Sequence, residues 1–114
     1  MKFFTKKILN EENYNKAYDL LIELRDKSRK EEGCIYYDLY RDVDNPYTII
    51  INEEWEREEF QKKHAESEHF KRIVPQVANL VIEKFPLIRF DRLEKKINLL
   101  NIFLKYEICY TVSG

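Results

Sequence analysis

Between Trp55 and Phe70 the chain reads WEREEFQKKHAESEHF, a stretch holding its one Trp and both of its His residues. Imidazole changes charge near neutral pH, so a His bordering a cavity is suited to act as a base or proton shuttle. Trp55, Phe60 and Phe70 could supply aromatic walls, with the tyrosines of the preceding strand adding to them. Phe60 and His64 stand four apart and therefore share one face of a helix. The chemistry these residues suggest is proton transfer to or from an apolar or aromatic molecule, with His64 as the base. A Trp serving as core at a strand end, and a His that is solvated or caps a helix, would leave the same pattern. The residues alone leave both readings open.

Other chemistries find little support. On a continuous helix His64 and His69, five apart, diverge by about 140°, whereas zinc-binding helices use spacings of three or four. No metal site is expected. His64-Ala65-Glu66 echoes the H-x-E of zinc deaminases but lacks the P-C-x-x-C that completes that site. Gly33 and Gly114 are the only glycines, too few for a phosphate-cradling loop. Cys34 and Cys109 form no C-x-x-C pair and carry no local signature of a nucleophile, so both are expected as reduced thiols.

Composition bounds the rest. The 114 residues are 44 % hydrophobic, a globular composition of a size that fits one domain. Twenty basic residues against 21 acidic ones leave a net charge of −1, which argues against a nucleic-acid partner. The N-terminal MKFFTKKILN lacks the apolar core of a signal peptide, and no apolar run approaches the roughly 20 residues needed to span a bilayer. A cytoplasmic protein without a membrane partner is expected.

The elements that must position the candidate residues follow from periodicity. Residues 3–9 make a short strand. Asn10 then offers an N-cap, with Glu11 and Glu12 at the positive end of the dipole. Tyr14, Ala17, Tyr18, Leu21, Leu24 and Ser28 recur at helical spacing, and Gly33 stops the helix. Residues 34–42 alternate as a strand, with Ile35, Tyr37 and Leu39 on one face and Tyr36, Asp38 and Tyr40 on the other. After the turn at Asp44-Asn45-Pro46, residues 47–55 return, with Ile49, Ile51, Glu53 and Trp55 sharing a face. Large side chains on both faces imply a sheet covered on both sides. Residues 56–63 are helical. Ser67 can cap a further helical piece carrying Phe70, Ile73, Val74, Val77, Leu80 and Val81, with Pro75 in its first turn or kinking it. Residues 85–93 read as the last strand. The order β-α-β-β-α-β is that of an α+β, ferredoxin-like domain with both helices on one face of an antiparallel sheet. Beyond it, residues 102–112 alternate as an extra strand, with helix as the second choice. An apolar strand there needs a partner, so the domain is placed at 1–94 and the extension at 95–114, packed on the same domain or on another subunit.

SRKEEGCIYYDLYRD, a D-N-P turn, an E-x-W strand end and F-x-x-H-x-x-S-x-H-F, in that order, resemble the antibiotic biosynthesis monooxygenase superfamily. The small bacterial quinol monooxygenase-like proteins are the nearest branch. The resemblance covers roughly residues 8–93. It implies a homodimeric α+β barrel and cofactor-independent oxygenation of a quinol-like aromatic, with O2 as co-substrate. It further implies His64 as catalytic base and Trp55, Phe60, Phe70, Tyr37 and Glu53 as substrate contacts. Haem-degrading relatives add an Asn on the first strand, where this chain has Thr5, Lys6 and Lys7, so haem is not the expected ligand. Alternatives are a non-catalytic dimeric module binding a hydrophobic ligand or haem, and an isomerase of a small signalling metabolite.

Overall fold

The computed structural model describes residues 1–93. The extension at 95–114, with its expected strand and Cys109, lies outside the described residues. Seven elements follow in chain order: β1 (Lys2–Ile8), α1 (Glu11–Ser28), β2 (Cys34–Arg41), β3 (Thr48–Trp55), α2 (Glu58–Ala65), α3 (Glu68–Ala78) and β4 (Ile88–Phe90). The strands form one antiparallel sheet in the order β2-β3-β1-β4. This is the ferredoxin-like α+β arrangement expected from the sequence.

Local chemistry accounts for the element boundaries. Asn10 Oδ1 accepts from Asn13 N at 2.9 Å, closing the first turn of α1 behind Glu11 and Glu12. The helix ends at Ser28, earlier than the glycine stop suggested. Gly33, with φ of 82°, instead turns the chain into β2. A methyl group there would collide with the side chain of Phe60, so the position needs glycine for both its backbone and its neighbour.

Register decides which side chains meet. Cys34, Tyr37 and Leu39 pair with Trp55, Glu53 and Ile51, while Phe3, Thr5 and Lys7 pair with Glu53, Ile51 and Ile49. Paired residues share a face of the sheet, and this face packs on Ala17, Leu21 and Leu24 of α1, Phe60 of α2, and Ile73 and Val77 of α3. Ile35 departs from the expected alternation. A bulge between Cys34 and Tyr36 takes it out of the ladder, leaving it 52 % exposed rather than beside Tyr37. The opposite face bears Phe4, Tyr40, Ile50, Ile88 and Phe90, with no helix over it among the described residues.

As the cap expected at Ser67 implies, the second helical segment is divided into two helices. Ser67 Oγ donates to the His64 carbonyl at 2.7 Å and accepts from Phe70 N at 3.2 Å. One hydroxyl thus closes the C-terminal end of α2 and caps the N-terminal end of α3. Pro75 lies inside α3, beyond its first turn. The last strand is only three residues long and pairs with Lys2–Phe4.

Candidate active site

His64 sits in the last turn of α2 and is 1 % exposed. Its ring lies 4.8 Å from that of Trp55, 5.1 Å from Phe70 and 5.7 Å from Tyr37. Nδ1 is 2.6 Å from Glu31 Oε2, and His69 Nε2 is 3.1 Å from the same oxygen. A carboxylate oxygen accepts, so each of these ring nitrogens carries the hydrogen. His64 Nε2 makes no hydrogen bond among the described residues and is the nitrogen left to receive a proton. Burial lowers the His64 pKa below its ordinary 6.5. The hydrogen bond and charge of Glu31 partly offset this, and His69 lowers it further.

The meeting of His64 and His69 corrects the expectation from the sequence. Their divergence holds on a continuous helix, but the break at Ser67 re-aims α3 and brings the two rings to 6.1 Å. The donor atoms of Glu31, His64 and His69 all lie within 4.8 Å of one another, close enough to surround one divalent ion. With both nitrogens on a single oxygen, the arrangement as it stands is a hydrogen-bonded relay.

Between the helices and the sheet lies a cavity of about 210 Å³. Leu21, Leu24, Tyr37, Ile51, Phe70, Val74, Val77, Phe85 and Leu87 make its apolar walls, and Thr5, Lys7, Glu53, Gln61 and His64 supply polar groups. A wider groove of about 280 Å³ runs along α1 and the β2 edge, lined by residues such as Tyr14, Tyr18, Arg25 and Arg41. It offers no imidazole or carboxyl group, so the chemistry belongs to the smaller cavity.

Glu53 is the second unusual group. It is 6 % exposed, and its Oε1 accepts from Trp55 Nε1 at 2.9 Å. Burial pushes its pKa up to about 7; the Trp55 hydrogen bond opposes this, Glu31 adds to it and Lys7 counters it. Lys7 is itself shifted down by burial, with Glu53 opposing. Burial also raises the Tyr37 phenol well above its ordinary value, so it stays neutral. Cys34 is pushed up to about 11, chiefly by burial, and is therefore a poor thiolate nucleophile near neutral pH.

Of the residues singled out from sequence, His64, Tyr37, Phe70 and Glu53 share the cavity wall. Trp55 is fully buried behind them, stacked on His64 and bonded to Glu53, and does not line the space. Phe60 packs over Gly33 and likewise lies away from it. Glu31, Lys7, Thr5 and Gln61 were missed. Glu31 stands 33 residues before His64, in a loop without a local motif. The alternation of Thr5 and Lys7 on β1 was the one available signal for that pair.

The sequence model of the family described as antibiotic biosynthesis monooxygenase matches residues 9–76. The chain belongs to that family. The matched span carries Glu31, Tyr37, Glu53, Trp55, His64, His69 and Phe70. A homologue in Bacillus subtilis (strain 168), named "Putative monooxygenase YcnE", is 33 % identical over 64 residues, covering 56 % of this chain and 67 % of its own length. A crystal structure of an antibiotic biosynthesis monooxygenase superposes with a TM-score of 0.77 at 27 % identity, covering 81 % of this chain and 97 % of that one. A conserved protein from Methanosarcina mazei Go1 matches at 0.76 and 27 % identity, with coverage of 80 % and 90 %. The shared fold therefore extends beyond the span that the family model matches.

Proposed function

We propose that this protein is a cofactor-independent monooxygenase that oxidises a small electron-rich phenol or quinol with O2, with His64 as the base. One observation carries the reading. A neutral imidazole, anchored through Nδ1 by Glu31, borders an apolar cavity with Nε2 unengaged among the described residues. The lowered pKa keeps that imidazole neutral at pH 7 and ready to accept a proton.

The reaction needs little machinery. Nε2 takes the phenolic proton, and the phenolate passes one electron to O2. The resulting radical pair combines to form a carbon–oxygen bond, giving a ring hydroperoxide after protonation. Loss of water from the hydroperoxide leaves one oxygen atom on the ring as a carbonyl and carries the other away. The substrate supplies all the electrons, so no external reductant enters. The apolar walls exclude water from the radical pair, and Tyr37 and Phe70 pack against the ring.

Oxygen uptake with 1,4-dihydroxybenzene and a dihydroxynaphthalene, corrected for autoxidation, tests this. Replacing His64 by Ala is expected to lower the rate by at least about 100-fold, the ordinary contribution of a general base. Equal rates in parent and variant remove His64 from the mechanism. No uptake above the blank with any phenol overturns the oxygenase reading.

We also propose that a second copy of the chain covers the face of the sheet over which no helix lies among the described residues. Tyr40, Ile88 and Phe90 are exposed there in the single chain, as an apolar sheet face awaiting a partner would be. Sedimentation should give a dimer that Tyr40→Glu weakens; a monomeric parent at high concentration refutes it.

A further inference from the structure

We propose that Glu31, His64 and His69 form a binding site for a divalent transition-metal ion of the zinc type, and that filling it switches off the base at His64. The switch rests on the oxygenase reading; the site itself does not. Imidazole nitrogens and a carboxylate oxygen are the ligand types such ions take. Three elements bring them together: Glu31 from the loop between α1 and β2, His64 from the last turn of α2, and His69 from the first turn of α3. The loop is held at Glu31 itself, whose N–H donates to the Ser28 carbonyl at 3.0 Å and whose carbonyl accepts from Cys34 N at 3.3 Å. The Ser67 hydroxyl fixes the turn between the two histidines. Among the described residues, no other three such side chains gather in this way.

Distances fit. Two ligands about 2.1 Å from a tetrahedral zinc ion stand roughly 3.4 Å apart. The Glu31 oxygen is 2.6 Å from His64 Nδ1 and 3.1 Å from His69 Nε2, and the donor atoms lie within 4.8 Å of one another. Shifts of about 1 Å bring all three onto one ion and leave a fourth position for water. The Glu31 and His69 side chains, 19 % and 14 % exposed, open the path of entry. The consequence for His64 follows from counting protons. In the hydrogen-bonded relay its hydrogen sits on Nδ1, toward Glu31, and Nε2 accepts. A metal ion on Nδ1 takes that lone pair, so the one hydrogen of the neutral ring moves to Nε2. His69 changes likewise, from Nε2 to Nδ1, and no proton leaves the protein. Nε2 of His64 then donates and no longer takes a proton from a phenol.

Calorimetric titration of chelator-treated protein with Zn²⁺ tests the site. The parent should bind one ion per chain, and His69→Ala and Glu31→Gln should each weaken binding by at least about tenfold. No saturable binding at one ion per chain, or parent-like affinity in every folded variant, overturns the site. If neither variant folds, the Co²⁺-loaded parent decides: strong visible absorption of a tetrahedral ion upholds the site, and the weak absorption of an octahedral one overturns it. Oxygen uptake with 1,4-dihydroxybenzene tests the switch. Saturating Zn²⁺ should lower it by about 100-fold, and EDTA should restore it. Uptake that Zn²⁺ leaves unchanged or raises overturns the switch. Zn²⁺ binding without uptake at any metal level would uphold the site and sink the oxygenase reading, whereas uptake without Zn²⁺ binding would sink the site alone.

Discussion

Glu53→Gln is the sharpest test of how the cavity is built. The folded protein holds the carboxyl of Glu53 at a pKa of about 7 against an ordinary 4.5, with burial as the main cause. At 1.36 kcal/mol for each tenfold change in acidity, that rise corresponds to about 3 kcal/mol. Because the folded-state pKa is the higher one, the native protein binds the extra proton between pH 4.5 and pH 7. Stability linked to Glu53 is therefore fully present below pH 4.5 and is lost as pH rises to about 7. Gln keeps an acceptor for the Trp55 N–H and has no proton to lose. The variant should match the parent near pH 4.5 and exceed it by about 3 kcal/mol at pH 8. Urea unfolding followed by the fluorescence of Trp55, the only Trp in the chain, reads this directly. Taking the difference between the two proteins at each pH cancels the opposing titration of His64. A difference that stays flat from pH 4.5 to 8 would show that Glu53 is an ordinary solvated carboxylate and refute the reasoning.

Further outcomes are expected. Glu31→Gln removes the charge that holds up the His64 pKa; the pH at which turnover collapses on acidification should move down, and the plateau rate should fall by about tenfold as the base weakens. An unmoved pH–rate profile would separate Glu31 from His64. Gly33→Ala combines a left-handed backbone with a collision against Phe60 and should cost about 2–4 kcal/mol in urea unfolding; a loss under 1 kcal/mol would contradict the packing. Ser28 Oγ is buried without a hydrogen-bond partner among the described residues, so Ser28→Ala should raise stability by about 1 kcal/mol. A lower melting temperature would mean the hydroxyl has a partner in solution.

Part of the site was legible because the two imidazoles and the one indole of the chain fall in a single short stretch. His64 and Phe70 stand out by type and spacing and Tyr37 through the family resemblance, and the fold places all three on one wall. Trp55 was placed at the strand end that carries it, but its ring was assigned to the substrate when it packs behind His64. Phe60 shares a helix face with His64, yet that face spans enough arc for one residue to reach the cavity and the other Gly33. Spacing says which side of a helix a residue occupies and not what stands opposite it.

The sequence by itself determined the order of elements, the N-caps at Asn10 and Ser67, and the alternation that puts Ile49, Ile51, Glu53 and Trp55 on one face. These are local properties, set by backbone hydrogen bonding and by the periods of helix and strand. Only the tertiary structure decided that Ile35 leaves its face at a bulge, that the turn at Ser67 brings His69 beside His64, and that Glu31 reaches both histidines from 33 and 38 residues away. The same holds for the acidity of Glu53. A carboxyl group in an isolated strand is solvated; burial in the folded chain, opposed by the Trp55 indole N–H, pushes its pKa up to about 7.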